Sequence, residues 1–147
     1  MSDMYEQVRK KIYEILSASL NGVTLSDGTT ASVAVYDRVP PSATFPYVRL
    51  GSDNYTRWDG ARMDGAEMEI TINTWQKDNA SRLDVMRIMD RVRGALHRCE
   101  GKFGGAGYAV ARIACESEQT LHAPDVAGDR SRYWQGVQLF KIKVHRV

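Results

Sequence analysis

The spacing of apolar and polar positions divides the chain into segments. Tyr5, Val8, Ile12, Ile15, Leu16 and Leu20 recur at helical spacing and predict an amphipathic helix with one apolar stripe. Arg9, Lys10, Lys11 and Glu14 lie mostly off that stripe. Asp3, followed by Glu6, has the form of a capping box, and Asn21-Gly22 is a natural stop because both residues tolerate left-handed backbone. Residues 23–32 mix Thr, Ser, Asp and Gly around an Asp27-Gly28 turn. β-prone runs follow at 33–38, ended by Pro40-Pro41, and at 45–50, with Pro46 at the start of the strand, where it is tolerated. Residues 54–65 carry Asp and Gly turn signals and read as a polar loop.

The clearest strand is 66–75, where Met68, Ile70 and Ile72 alternate with Glu67, Glu69, Thr71 and Asn73. Trp75 falls on the polar parity. A second helix follows Asp78-Asn79, either of which can cap it. Its broad apolar face is Leu83, Val85, Met86, Ile88, Met89, Val92, Ala95, Leu96 and Cys99; Asp84, Arg87, Arg91 and Arg98 form the polar stripe. Residues 101–107 read as a Gly-rich turn, 108–116 as a strand and 117–133 as a long loop. In the last strand, 134–147, Phe140, Ile142 and Val144 face one way and Lys141, Lys143 and His145 the other. This order predicts an α+β fold: one domain over 1–147, an antiparallel β-sheet with two α-helices packed on its dry face.

Composition narrows the picture. At 147 residues, 43% of them hydrophobic and 26% charged, the chain suits a single core. No apolar stretch approaches the roughly 20 residues of a membrane span, so no membrane is expected. Charge, not an apolar region, follows Met1-Ser2-Asp3-Met4-Tyr5, so no secretory leader is expected either. A net charge of +2 is too mild to imply nucleic-acid binding. Cys99 and Cys115 are too few for a disulfide framework and fit packing as small hydrophobes.

Catalytic and metal chemistry find little support. The Gly-rich stretch follows a helix and opens a strand, the reverse of a phosphate-binding loop. His97, Cys99, Cys115 and His122 lack the close ligand pairs of a structural zinc site. No motif joins a nucleophile, a base and an oxyanion donor. The reading is no enzyme, no cofactor and no metal. The arginines of the second helix are interleaved with Asp84, Asp90 and Glu100, as on a solvated face. If strands 66–75 and 134–147 are neighbours, Lys141 and Lys143 meet Glu67 and Glu69, each pair worth about 0.2–1 kcal/mol. An aromatic and basic set remains. Tyr, Trp and Arg are enriched at interface cores, so Tyr55, Arg57, Trp58, Arg62, Trp75, Arg130 and Arg132 are candidate subunit or partner contacts. Trp134, at a strand start, is expected in the core.

Tyr36-Asp37-Arg38-Val39-Pro40, Phe45-Pro46-Tyr47-Val48, the strand ending Thr71-Ile72-Asn73-Thr74-Trp75, the second helix, and a closing strand with Gly136 and Phe140 occur in an order that resembles the tail-completion, or tail-terminator, proteins of long-tailed bacteriophages and gene transfer agents. The resemblance spans nearly the whole chain. It implies a non-enzymatic virion protein, made in the bacterial host cytoplasm and located at the head–tail junction. It implies a hexameric ring that caps the tail tube, ends its polymerisation and joins it to the head connector. The expected partners are further copies, the tail-tube protein and the head-connector or stopper protein; genome DNA passes through without specific binding. The family motifs are expected to be architectural, with prolines at strand edges and aromatics in the core. The loops 54–65 and 117–133 are expected to order on assembly. Another connector component (stopper or adaptor) and a small nucleic-acid-binding module using Arg130, Arg132 and the sheet lysines stand as alternatives.

Overall fold

The computed structural model describes residues 4–60, 63–77, 80–104, 107–123 and 133–147, with side chains placed for all of these except 58–60, 63 and 123. Helix α1 (Met4–Ser19) buries Val8, Ile12, Ile15 and Leu16 of the predicted stripe, and Leu20 is buried just past its end; Met4 joins them, whereas Tyr5 is only half-buried. Asp3 of the expected capping box lies outside the described residues. Past Gly22, at φ 85°, a small hairpin pairs β1 (Val23–Thr24) with β2 (Thr30–Ala31). The Asp27 carboxylate stitches its turn, accepting from the Thr29 amide at 2.9 Å.

The main sheet follows: β3 (Ala34–Tyr36), β4 (Tyr47–Gly60), β5 (Met63–Lys77), β6 (Tyr108–Ala123) and β7 (Tyr133–Arg146), in the order β3-β4-β5-β7-β6. The long strands are antiparallel; β3 joins the edge parallel to β4. Helix α2 (Arg82–Leu96) and a 3-10 turn (Glu100–Lys102) lie between β5 and β6. Both helices cover one face. Their apolar sides merge with Leu50, Met68, Ile70, Ile72, Ile113, Phe140, Ile142 and Val144 into one core, where none of these strand residues is more than 2% exposed. Gly136 lets α2 approach closely: a Cβ there would stand 2.5 Å from Met89 Sδ and 2.8 Å from Val85 Cγ1. The architecture is therefore the α+β sheet with helices on one face that the sequence predicts.

Several local expectations are corrected. Residues 54–65 are not a loop: 54–60 extend β4 and 63–65 begin β5, with Thr56 opposite Glu67. Residues 117–123 likewise extend β6 along β7, with Thr120 opposite Gly136. Ladder hydrogen bonds hold these segments, and burial does not, so their sequence shows no alternation. Ser81 caps α2, its hydroxyl accepting from the Leu83 amide at 3.1 Å; Asp78 and Asn79 lie outside the described residues. Asp84 is buried, not part of a wet stripe, because the Ser26 amide at 2.8 Å and the Gln76 amide group at 3.2 Å satisfy its carboxylate. Leu83 and Met86, assigned to the apolar face, are exposed. Cys99 lies past the end of α2, half-buried beside the core.

Candidate assembly interface

The face of the sheet away from the helices differs from end to end. At one end it is a charge ladder: Glu67 stands opposite Lys143 and Glu69 opposite Lys141, and Lys141 Nζ lies 3.7 Å from Glu69 and 3.9 Å from Glu67. This is the pairing expected if the two strands are neighbours. At the other end lies an aromatic patch. Phe45 stacks on Tyr133 at 5.2 Å between ring centroids, and Trp75 meets Tyr133 edge-on at 6.4 Å. Tyr47 contacts Phe45 at 5.0 Å and Tyr36 at 5.8 Å, and Lys77 Nζ sits 5.6 Å from the Phe45 ring. All five rings are half-buried. Burial, reinforced by Tyr133, pushes the Tyr47 phenol above its ordinary pKa. The expectation that Phe45 and Tyr47 fill the core is thereby corrected: Tyr47 alternates with the buried Val48 and so faces the open side, and Phe45, just before the strand, packs there against Tyr47 and Tyr133. Only the polar-parity position of Trp75 signals this patch in the sequence; its union with Tyr36, Phe45, Tyr47 and Tyr133 depends on strand order.

The other candidate contacts are spread out. Tyr55, on the outer part of β4, stays 43% exposed, packs its ring on Tyr5 of α1 at 4.3 Å and donates its hydroxyl to Asp53 at 2.8 Å. Arg57 is exposed and pairs with Asp64, which also accepts from Arg146 Nε at 2.9 Å. Trp58 pairs through its backbone opposite Gly65; its side chain, like Arg62, Arg130 and Arg132, lies outside the described residues. Trp134 is half-buried and not in the core: its ring meets His122 at 4.5 Å, and the Arg82 guanidinium lies 5.5 Å above it. The structure thus brings Trp75 into a patch and leaves Tyr55 and Arg57 on a separate arm.

Sequence reasoning misses one node altogether. Arg9 of α1 pairs with Asp37 and Asp53 and donates to the carbonyls of Leu50 and Gly51, both at 3.1 Å. Partial burial works against its charge, yet the bond to Asp37 and the two carboxylate charges together raise its pKa. Nothing local in the sequence marks Arg9, because its partners are 28 to 44 positions away.

The basic residues of α2 are engaged within the protein. Arg93 makes two 2.9 Å bonds to Glu118 and pairs with Asp90, Arg87 donates to the Thr24 carbonyl at 3.2 Å, and Arg91 to the Gly22 carbonyl at 3.0 Å. Beside them an open groove of about 1030 Å³ runs between Leu83 and Met86 of α2 and Glu118 to Thr120 of β6. Among the described residues no cluster of His, Cys, Asp and Glu could hold a metal ion, and no helix is long and apolar enough to cross a membrane. Burial, helped by Glu118, pushes the Cys115 thiol up to about 11, far from the range of an activated nucleophile.

A helix-backed sheet whose other face carries half-buried aromatics defines an α+β protein equipped for contact. The chain belongs to the tail completion protein gp17 family, whose model matches residues 10–144. It is a structural component of a phage-type virion tail, and the family is one of structural virion proteins. A chain in the solved structure of a virion of a native gene transfer agent particle has the same fold: TM-score 0.67 at 17% identity, covering 97% of this chain and 99% of that one. Among curated proteins, none matches the sequence.

Proposed function

We propose that this protein caps the tail tube as a ring of six copies, ends tube polymerisation and offers the surface that joins the tail to the head connector. The observation that carries this reading is the open sheet face. Five half-buried aromatic rings are gathered at one end of a solvent-facing surface, and a partner that covers them gains the part of their burial still open, roughly 1 kcal/mol for each large ring it finishes burying. A ring also needs two different surfaces per copy, one to give and one to receive. The tail-tube protein and the connector or stopper are the partners, with DNA passing through the ring.

Electron microscopy of particles made without the protein tests this. Tubes of uncontrolled length are the expected result. Tubes of normal length on heads that leak DNA would overturn it in favour of a stopper. The nucleic-acid-binding reading calls on Arg130, Arg132 and the sheet lysines; Arg130 and Arg132 lie outside the described residues, and Lys141 is held by Glu67 and Glu69, which weakens its claim on a phosphate.

A further inference from the structure

Strands β4 and β6 each have an outer edge that is covered along one part and, among the described residues, has no strand against it along the next. On β4, β3 pairs with Tyr47 to Arg49, and Arg9 takes the carbonyls of Leu50 and Gly51. A bulge follows between Leu50 and Asp53, and beyond it, among the described residues, no strand pairs with the outer edge of 52–60. The β6 edge repeats the plan. The Arg98 amide donates to the Ile113 carbonyl at 2.8 Å, and the Cys115 amide donates to His97 Nδ1 at 3.1 Å. A bulge follows between Cys115 and Ser117, and beyond it no described strand pairs with the outer edge of 117–123.

Exposed edges are ordinarily guarded by charged residues, lysine above all, by proline or a bulge, or kept short. Each of these segments starts at a bulge and carries charge, Asp53, Arg57 and Asp59 in one and Glu118 in the other, but neither 52–60 nor 117–123 contains lysine or proline, and each runs for several residues. The placed side chains of both segments are mostly exposed. The segments lie on opposite edges and toward opposite ends of the sheet: Thr120 is level, through Gly136, with Thr74, whereas Thr56 is level with Glu67. They run antiparallel to each other. A neighbouring copy related by rotation and slid by about seven residues, about 24 Å along the strands, brings one against the other. Strands then slant across the ring, as in every closed barrel, and no bare edge remains once the ring closes.

We infer that copies of this chain join edge to edge, residues 117–123 of β6 in one copy pairing antiparallel with residues 52–60 of β4 in the next. The inference rests on the ring reading and specifies its contact. The covers set by β3, Arg9, His97 and Arg98 restrict pairing to these outer halves, so the slide between copies is fixed.

Cysteine cross-linking on rings assembled with tail-tube protein tests this, with Cys99 and Cys115 replaced by Ser. Double variants combining Asn54→Cys or Thr56→Cys with Gln119→Cys or Leu121→Cys should give a covalent ladder of multimers on mild oxidation in at least one combination. The single variants should give none. Rings that form without a ladder in any combination overturn the edge contact and leave the ring reading standing. Single variants that dimerise show like edges meeting and overturn it too. An unmodified chain that forms no ring on tubes overturns both. Hydrogen exchange on the unmodified chain guards against misfolded variants: amides in both segments should slow about tenfold or more on assembly, while those of 108–115 hold steady. Unchanged exchange in both segments refutes the contact.

Discussion

On the helix-covered side of the sheet, Met68, Ile70, Ile72, Phe140, Ile142 and Val144 have no exposed surface. On the open side, Glu67, Glu69, Lys141, Trp75 and Tyr133 of the same strands are only half-buried. The same strands supply both sets, because side chains alternate across a sheet. The covered side is filled by this chain alone and sets its stability. The open side carries large rings without a cover and charges balanced in pairs. Folding, and the assembly proposed above, draw on opposite parities of the same strands, so each should be open to perturbation with little effect on the other.

The largest effect that would sharpen this contrast is Leu96→Ala, which empties a fully buried position on α2. It should cost about 2–5 kcal/mol in denaturant unfolding of the monomer. Gly136→Ala comes next. Its Cβ would collide with Met89 and the stiff Val85, so a loss of about 1–3 kcal/mol is expected, visible as a lower melting temperature. Trp75→Ala should invert the pattern: the monomer loses about 1 kcal/mol, while binding to tail-tube rings, measured by light scattering, falls about tenfold or more. A monomer destabilised as severely as by Leu96→Ala would break the contrast between faces. Lys141→Ala should have the smallest mutational effect, about 0.2–1 kcal/mol, and shrink further in high salt.

The edge strand gives a pH test of the same contrast. The Cys115 thiol is raised from 9.0 to about 11, first by burial and then by Glu118. An unfolded chain loses this proton first as pH rises, which favours unfolding. The contribution of this group is therefore complete below about pH 9 and falls between pH 9 and 11. Alkylation of Cys115 in the folded protein at pH 8 should run on the order of a hundredfold slower than that of an ordinary thiol.

What could be read from sequence follows where burial writes a period. The stripe from Val8 to Leu16 and the alternations at 68–72 and 140–144 mark elements whose one side is dry, and these set the α+β architecture. The outer halves of β4 and β6 are exposed on both sides, so no alternation distinguishes them from loops. Asp84 read as polar surface because the Ser26 amide and Gln76 that satisfy it come from distant segments. Of the candidate contacts, Trp75 was legible from its parity alone. Its ring partners were not, because Tyr36, Phe45 and Tyr133 join it only through strand order.

Tyr5 and Arg9 stand one helical turn apart on the same side of α1, and they grip Tyr55 and Asp53, alternate residues of β4. The first helix and the long hairpin are thus clasped at two points instead of one. A single clasp acts as a pivot; two make a splint. Bending the hairpin at the bulge between Leu50 and Asp53 would strain both grips at once, so its described base and the N-terminal helix are tied to move as one body.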